Sequence, residues 1–169
     1  MNKVKLLALL AIPLFVVGCK TVSEAPSVKS MSQVETRQLQ TRTYSGVDML
    51  TGLKSVVSAL QDEGYLIEST NDKLGIITAQ SEVKTELKGA RQYAEDWTYN
   101  GTYETVQRVI VSATVSEFGK DIKIRINMVR KAFNQNGGVI WSVPIQEANH
   151  YQAVFTKVDK SLFLAKQKM

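Results

Sequence analysis

Two stretches in the second half of the chain alternate between apolar and mostly polar side chains. The apolar positions of the first are Val109, Val111, Ala113 and Val115, and those of the second are Ile122, Ile124, Ile126 and Met128. Because successive side chains of a strand point to opposite faces, each stretch buries one face and exposes the other. Gly119 separates the two stretches, so we predict two antiparallel strands joined by a turn.

A different spacing marks two helices. Between Val47 and Glu63 the apolar residues recur every three or four positions, which is typical of a helix with one buried face. The same spacing returns from about Glu147 to the end of the chain. The apolar residues of this last helix are Tyr151, Val154, Phe155, Val158, Leu162 and Ala165.

Shorter strands are predicted around these elements. They are an edge-like strand at Thr36–Tyr44, a hairpin of Tyr65–Glu68 with Leu74–Gln80, and a strand at Val139–Val143 that Pro144 ends. Ser81–Glu95 fits either a weak helix or an insertion. The resulting order is β-α-β-β-β-β-β-α. We therefore expect residues 36–169 to form a single α+β domain, a two-layer sandwich with both helices on one face of an antiparallel sheet.

The N-terminus has the pattern of a targeting segment. Lys3 and Lys5 precede the apolar run Leu6–Val17, which is too short to span a bilayer as a stable helix. The sequence Val16-Val17-Gly18-Cys19 resembles the lipobox of bacterial lipoprotein precursors. That resemblance implies a signal peptide at residues 1–18 and lipidation of Cys19, with a diacylglycerol and an acyl chain such as palmitate. Lys20 then implies the periplasmic face of the outer membrane, where an aspartate would imply the inner membrane.

Residues 19–35 are polar and carry no sustained apolar period, so we expect a flexible tether after the lipid anchor. The mature chain also resembles a family of small, uncharacterised proteobacterial lipoproteins. The segments that carry this likeness are RQLQTRTY, ALQDEGYLIE, LGIITAQ and HYQAVFTKVDKSLFL. They are packing segments, so the family likeness implies a fold and an anchor but no site.

Composition narrows the range of functions only moderately. The chain of 169 residues is 44% hydrophobic and 22% charged, as is ordinary for a globular protein. Its formal charge of +5 falls to about +3 once Lys3 and Lys5 leave with the signal peptide. This mild basicity favours anionic surfaces, and we expect no nucleic-acid partner. Cys19 is the single cysteine, so no disulfide forms within the chain.

No constellation of catalytic residues is apparent in the sequence, and we expect a protein that is not an enzyme. His150 is the single histidine, and a lone histidine at the start of a helix is more often a packing or capping residue than a catalytic base. Neither metal-ligand spacing nor a phosphate-binding glycine loop is present, so we expect no metal and no cofactor.

Aromatic side chains cluster around the turn at Asn100-Gly101. They are Tyr93, Trp97, Tyr99 and Tyr103. Such rings on an exposed hairpin can stack on sugars or hold a protein partner. Alternatively, they stabilise the hairpin itself through cross-strand pairs.

Three basic residues are predicted on the polar sheet face, namely Arg108, Lys123 and Arg125. Together they could bind phosphate or carboxylate, or they could simply keep the surface soluble. The leading hypothesis is a non-enzymatic scaffold of the cell envelope, with a protein partner on a strand edge or on the aromatic hairpin. The alternative is a binding module for anionic glycolipid or peptidoglycan, and an envelope hydrolase is a third, remote possibility.

Overall fold

A computed structural model describes residues 25–27, 31–84 and 104–167, in which the chain forms three helices and six strands. This confirms the predicted α+β class. The helices are α1 (Gln33–Gln40), α2 (Met49–Asp62) and α3 (Ala148–Gln167). The strands are β1 (Thr41–Ser45), β2 (Leu66–Asn71), β3 (Ile76–Lys84), β4 (Glu104–Phe118), β5 (Asp121–Asn134) and β6 (Val139–Pro144).

All strand pairs are antiparallel, and the sheet runs in the order β1-β5-β4-β3-β2. β6 pairs with the second half of β5, on the same side as β1. β4 and β5 lie where the alternation predicts them, but they are longer, at 15 and 14 residues. Residues 81–84, which the sequence left ambiguous, continue β3, whereas the rest of that ambiguous segment lies outside the described residues.

The core lies between one face of this sheet and the helices α2 and α3, as the two-layer sandwich predicts. Every apolar position of the two alternating stretches is buried. The helices supply most of the rest of the core, including Val56, Leu60, Phe155 and Val158. Gly52 lets α2 approach the sheet closely, since a Cβ there would collide with the side chain of Ile122.

The predicted strand at Thr36–Tyr44 is wrong in its first half, because α1 occupies Gln33–Gln40 and β1 begins only at Thr41. Local hydrogen bonds explain the helix. The hydroxyl of Ser32 accepts from the backbone N–H of Glu35 at 3.2 Å, and the Glu35 carboxylate accepts from the Ser32 N–H at 2.9 Å. This capping box satisfies two helix-terminal donors and starts a helix that the sequence analysis missed.

A polar cluster fastens β1 to α3. Arg42 donates to one oxygen of Asp159 at 2.9 Å, and the Tyr44 hydroxyl donates to the other at 2.7 Å. The guanidinium of Arg42 also lies 4.6 Å from the centroid of the Phe155 ring. Burial, followed by the hydrogen bond to Asp159, raises the pKa of Tyr44. The short strand β1 is therefore held by side chains as well as by backbone pairing.

The turn before β3 generates a stability prediction. Gly75 has a φ of +67°, and a Cβ there would collide with the carbonyl oxygen of Val115. We expect Gly75→Ala to lower the free energy of unfolding by about 3 kcal/mol, measured by urea denaturation. Gly137→Ala is the control, because Gly137 has a φ of +78° but no atom within 4 Å of the added Cβ. Its loss should be about 1 kcal/mol, and equal losses would contradict the collision.

Alkaline pH should destabilise the domain through its tyrosines. Burial raises the pKa of Tyr44, Tyr65 and Tyr151, so the folded state holds these protons more tightly than the unfolded state. Stability is then complete below the unfolded pKa of about 10 and falls as the pH rises above it. Tyr44→Phe should make this fall less steep in denaturation curves recorded across that range. An unchanged slope would show that Tyr44 ionises equally easily in both states.

Candidate binding surfaces

The side of the sheet opposite α2 and α3, here called the open face, carries the predicted basic residues. Arg108, Lys123 and Arg125 alternate with buried residues of β4 and β5, so all three lie on this face. Lys123 and Arg125 are two residues apart on β5. Arg125 pairs with Thr114 of β4, and Arg108 precedes Thr114 by six residues in that strand. At about 3.3 Å per residue, that separation is about 20 Å, so the structure brings two of the three together and leaves Arg108 apart.

Arg108 already has partners within the domain. Its Nε and Nη2 lie 2.9 and 2.8 Å from the same carboxylate oxygen of Glu82, on the neighbouring strand. Its guanidinium also lies 5.0 Å from the centroid of the Phe133 ring. An external anion would have to compete with both contacts, which makes Arg108 a poorer binding group than its exposure suggests.

The pair on β5 is engaged as well. The ammonium of Lys123 lies 3.9 Å from the centroid of the Phe118 ring, whose side chain is exposed. Arg125 donates from Nη2 to the amide oxygen of Gln40 at 3.2 Å. A ring contact and a neutral hydrogen bond are weaker than an ion pair, so these two cations remain more available than Arg108.

Gln40 occupies a gap in the edge of the sheet. The pairing of β1 ends at Arg125 and that of β6 begins at Val129, so neither short strand pairs with residues 126–128 of β5. The amide of Gln40 fills this gap: it is only 3% exposed and also donates to the Asn127 side chain at 3.1 Å. Sequence reasoning placed Gln40 in an edge strand and missed this role. The capping-box residues Ser32 and Glu35 were the available signal, because they start the helix whose last residue is Gln40.

The opposite edge of the sheet is open. β2 pairs with β3 on one side and with no other strand of the described chain, and almost all of its side chains are exposed. A bulge interrupts its pairing between Ile67 and Ser69 and adds Glu68 to the exposed edge. A charged bulge limits indiscriminate strand addition while leaving backbone groups available to a matching partner.

Exposed leucines flank this edge. Leu66 begins β2 and is 70% exposed, and Leu74 lies in the turn to β3 and is 63% exposed. Single exposed apolar residues are common on protein surfaces. Here both lie on the hairpin that carries the open edge, so a partner strand would have apolar side chains to contact beside the backbone groups.

The other predicted site residues are less informative. Cys19, Tyr93, Trp97, Tyr99 and Tyr103 lie outside the described residues. His150 lies in the first turn of α3, where its backbone N–H donates to the Glu147 carbonyl at 3.3 Å. Among the described residues, no three His, Cys, Asp or Glu side chains are grouped to hold a metal ion. No helix in that part of the chain is long and apolar enough to cross a membrane.

A scan of the chain against protein-family models finds no match, and a search among curated proteins finds none either.

Proposed function

We propose that the protein is a lipid-anchored component of the bacterial envelope with a non-enzymatic interaction or scaffold role. The support for the anchor is the run Val16-Val17-Gly18-Cys19 after a short apolar segment, and Lys20 favours the outer membrane over the inner. Two or more acyl chains on Cys19 would hold the domain durably at the periplasmic leaflet, because each buried methylene contributes about 0.8 kcal/mol.

The open edge of β2 is the observation that carries the interaction role. An unpaired edge offers a row of backbone donors and acceptors that an extended segment of another protein can join. The bulge at Glu68 favours a partner with a matching register over self-association. Leu66 and Leu74 would add apolar contacts on the same hairpin.

The alternative, binding of anionic glycolipid or peptidoglycan through the basic residues, has less support. Arg108 is ion-paired with Glu82 and lies about 20 Å from Arg125 and about 26 Å from Lys123, so the three do not converge on one anion. A hydrolase has least support, because His150 is the single histidine of the sequence and no nucleophile motif accompanies it.

Photo-crosslinking in cells tests the docking edge. A photoreactive amino acid in place of Glu68 should form an adduct with an envelope protein, because that position lies on the open edge. The matched control replaces Ser112, which is also exposed but lies in the middle of the open face. Adducts from position 112 with none from position 68 would contradict docking at the edge and move the interaction to the open face.

The anchor has its own test. Cys19→Ser should abolish incorporation of labelled palmitate and leave a precursor that retains residues 1–18, as mass spectrometry would show. Lys20→Ser serves as the control. It should keep the lipid, and the protein should still be found in the outer-membrane fraction. Lys20→Asp should keep the lipid but move the protein to the inner-membrane fraction. Labelling of the Cys19→Ser protein would rule out Cys19 as the lipidated residue.

A further inference from the structure

A cavity of about 350 Å³ lies where β5, β6 and the start of α3 meet the segment that precedes α1. Its walls include Pro26 and Met31 from that segment, Arg130 from β5, and Ile145, Gln146 and Glu147 from the connection between β6 and α3. A volume of this size falls within the range of small-molecule sites. None of the residues singled out from the sequence as candidate binding groups lines it.

Arg130 is the cation of this cavity. It lies opposite Val143 of β6 on the helix-covered side of the sheet, and its side chain is partly buried. Within the described chain its guanidinium makes no hydrogen bond and no ion pair, in contrast to Arg42 and Arg108. Its charge does reach the Tyr65 phenol, where it opposes the burial that raises the pKa of that group. A guanidinium has five N–H donors, and withdrawing them from water without a partner is costly.

The opposite charge lines the same cavity without touching Arg130. Glu147 accepts the backbone N–H of Gln146 at 3.2 Å, and the ion pairs of the described chain do not include one between Glu147 and Arg130. The amide oxygen of Gln146 is itself buried and lacks a hydrogen-bond partner among the described residues. The cavity is therefore lined by a cation and a carboxylate that are not paired with each other, and a residue of its wall carries a buried acceptor.

We propose that this cavity binds a small zwitterion. Its oxyanion, a carboxylate or a phosphate, pairs with Arg130, since the guanidinium fork matches either group. Its ammonium pairs with the exposed carboxylate of Glu147. Its hydrocarbon part contacts Met31 and Ile145. A simple anion would be repelled by Glu147 and a simple cation by Arg130, so a ligand that carries both charges fits best.

Two sources supply this chemistry: the phosphoethanolamine headgroup of a lipid and a free amino acid. Pro26 follows Cys19 by seven residues, which an extended chain spans in at most about 25 Å. A lipid on Cys19 would keep the cavity within reach of headgroups, which favours the lipid source. This preference depends on the proposed anchor, whereas the zwitterion site does not.

Calorimetric titration of the full chain in a non-ionic detergent tests the site with four probes. O-phosphoethanolamine and glycine carry both charges, ethyl phosphate carries the negative charge alone, and ethylamine carries the positive charge alone. We expect a zwitterion to bind at least about tenfold more tightly than either single-charge probe. Arg130→Gln should weaken zwitterion binding by about tenfold. Glu147→Gln should weaken it too, without weakening the binding of ethyl phosphate.

Lys131→Gln is the matched control, because it removes the same charge from the next residue of β5, on the open face. It should leave binding unchanged. Competition by nanodiscs containing phosphatidylethanolamine, but not by phosphatidylcholine nanodiscs, would identify the headgroup as the source, and binding of glycine alone would identify an amino acid. The proposal is overturned if the wild-type chain binds neither zwitterion, if ethyl phosphate binds as tightly, or if Arg130→Gln and Lys131→Gln have equal effects.

Discussion

The fold depends on the pairing of β4 with β5. These two strands run together over 14 cross-strand pairs, and every other strand attaches to them directly or through β3. Their inner faces carry the buried apolar side chains of the two alternating stretches, which α2 and α3 cover. A slip of one residue would turn those side chains to solvent and bring residues such as Lys123 and Arg125 into the core, so burial enforces the register. The chain has no disulfide to share this task.

Polar side-chain contacts fix the positions of the short strands, which the pairing of β4 with β5 does not determine. The outer side of β5 is divided between two short strands, β1 and β6, which cannot close it alone. Gln40 fills the gap between them, and Asp159 of α3 holds β1 through Arg42 and Tyr44. Because each of these groups has a defined partner, burying them costs little and specifies where the short strands dock. The gap beside β5 is thereby filled, whereas the outer edge of β2 pairs with no further strand of the described chain.

The contacts of the basic side chains decide which of them remain available to a ligand. The basic residues of the open face are engaged within the domain, whereas Arg130 lines a cavity on the helix side and has no ion pair among the described residues. The cationic group best prepared for a ligand is therefore one that a count of exposed charges overlooks. A protein partner on the β2 edge and a small zwitterion in the cavity would use separate surfaces, so the two proposed sites do not compete.

The sequence by itself determined the elements whose signal is local. Alternation located β4 and β5, and the three-and-four spacing located α2 and α3. The order of the six strands along the chain, though not their order in the sheet, followed from these elements and the turns between them. Even α1 had a local signature in Ser32 and Glu35. Only the tertiary structure decided that Arg108 lies far from Arg125, that Gln40 fills a gap beside β5, and that Arg130 and Glu147 line one cavity. These relations join residues from distant parts of the chain, and their distances depend on strand register and helix docking, which no local period encodes.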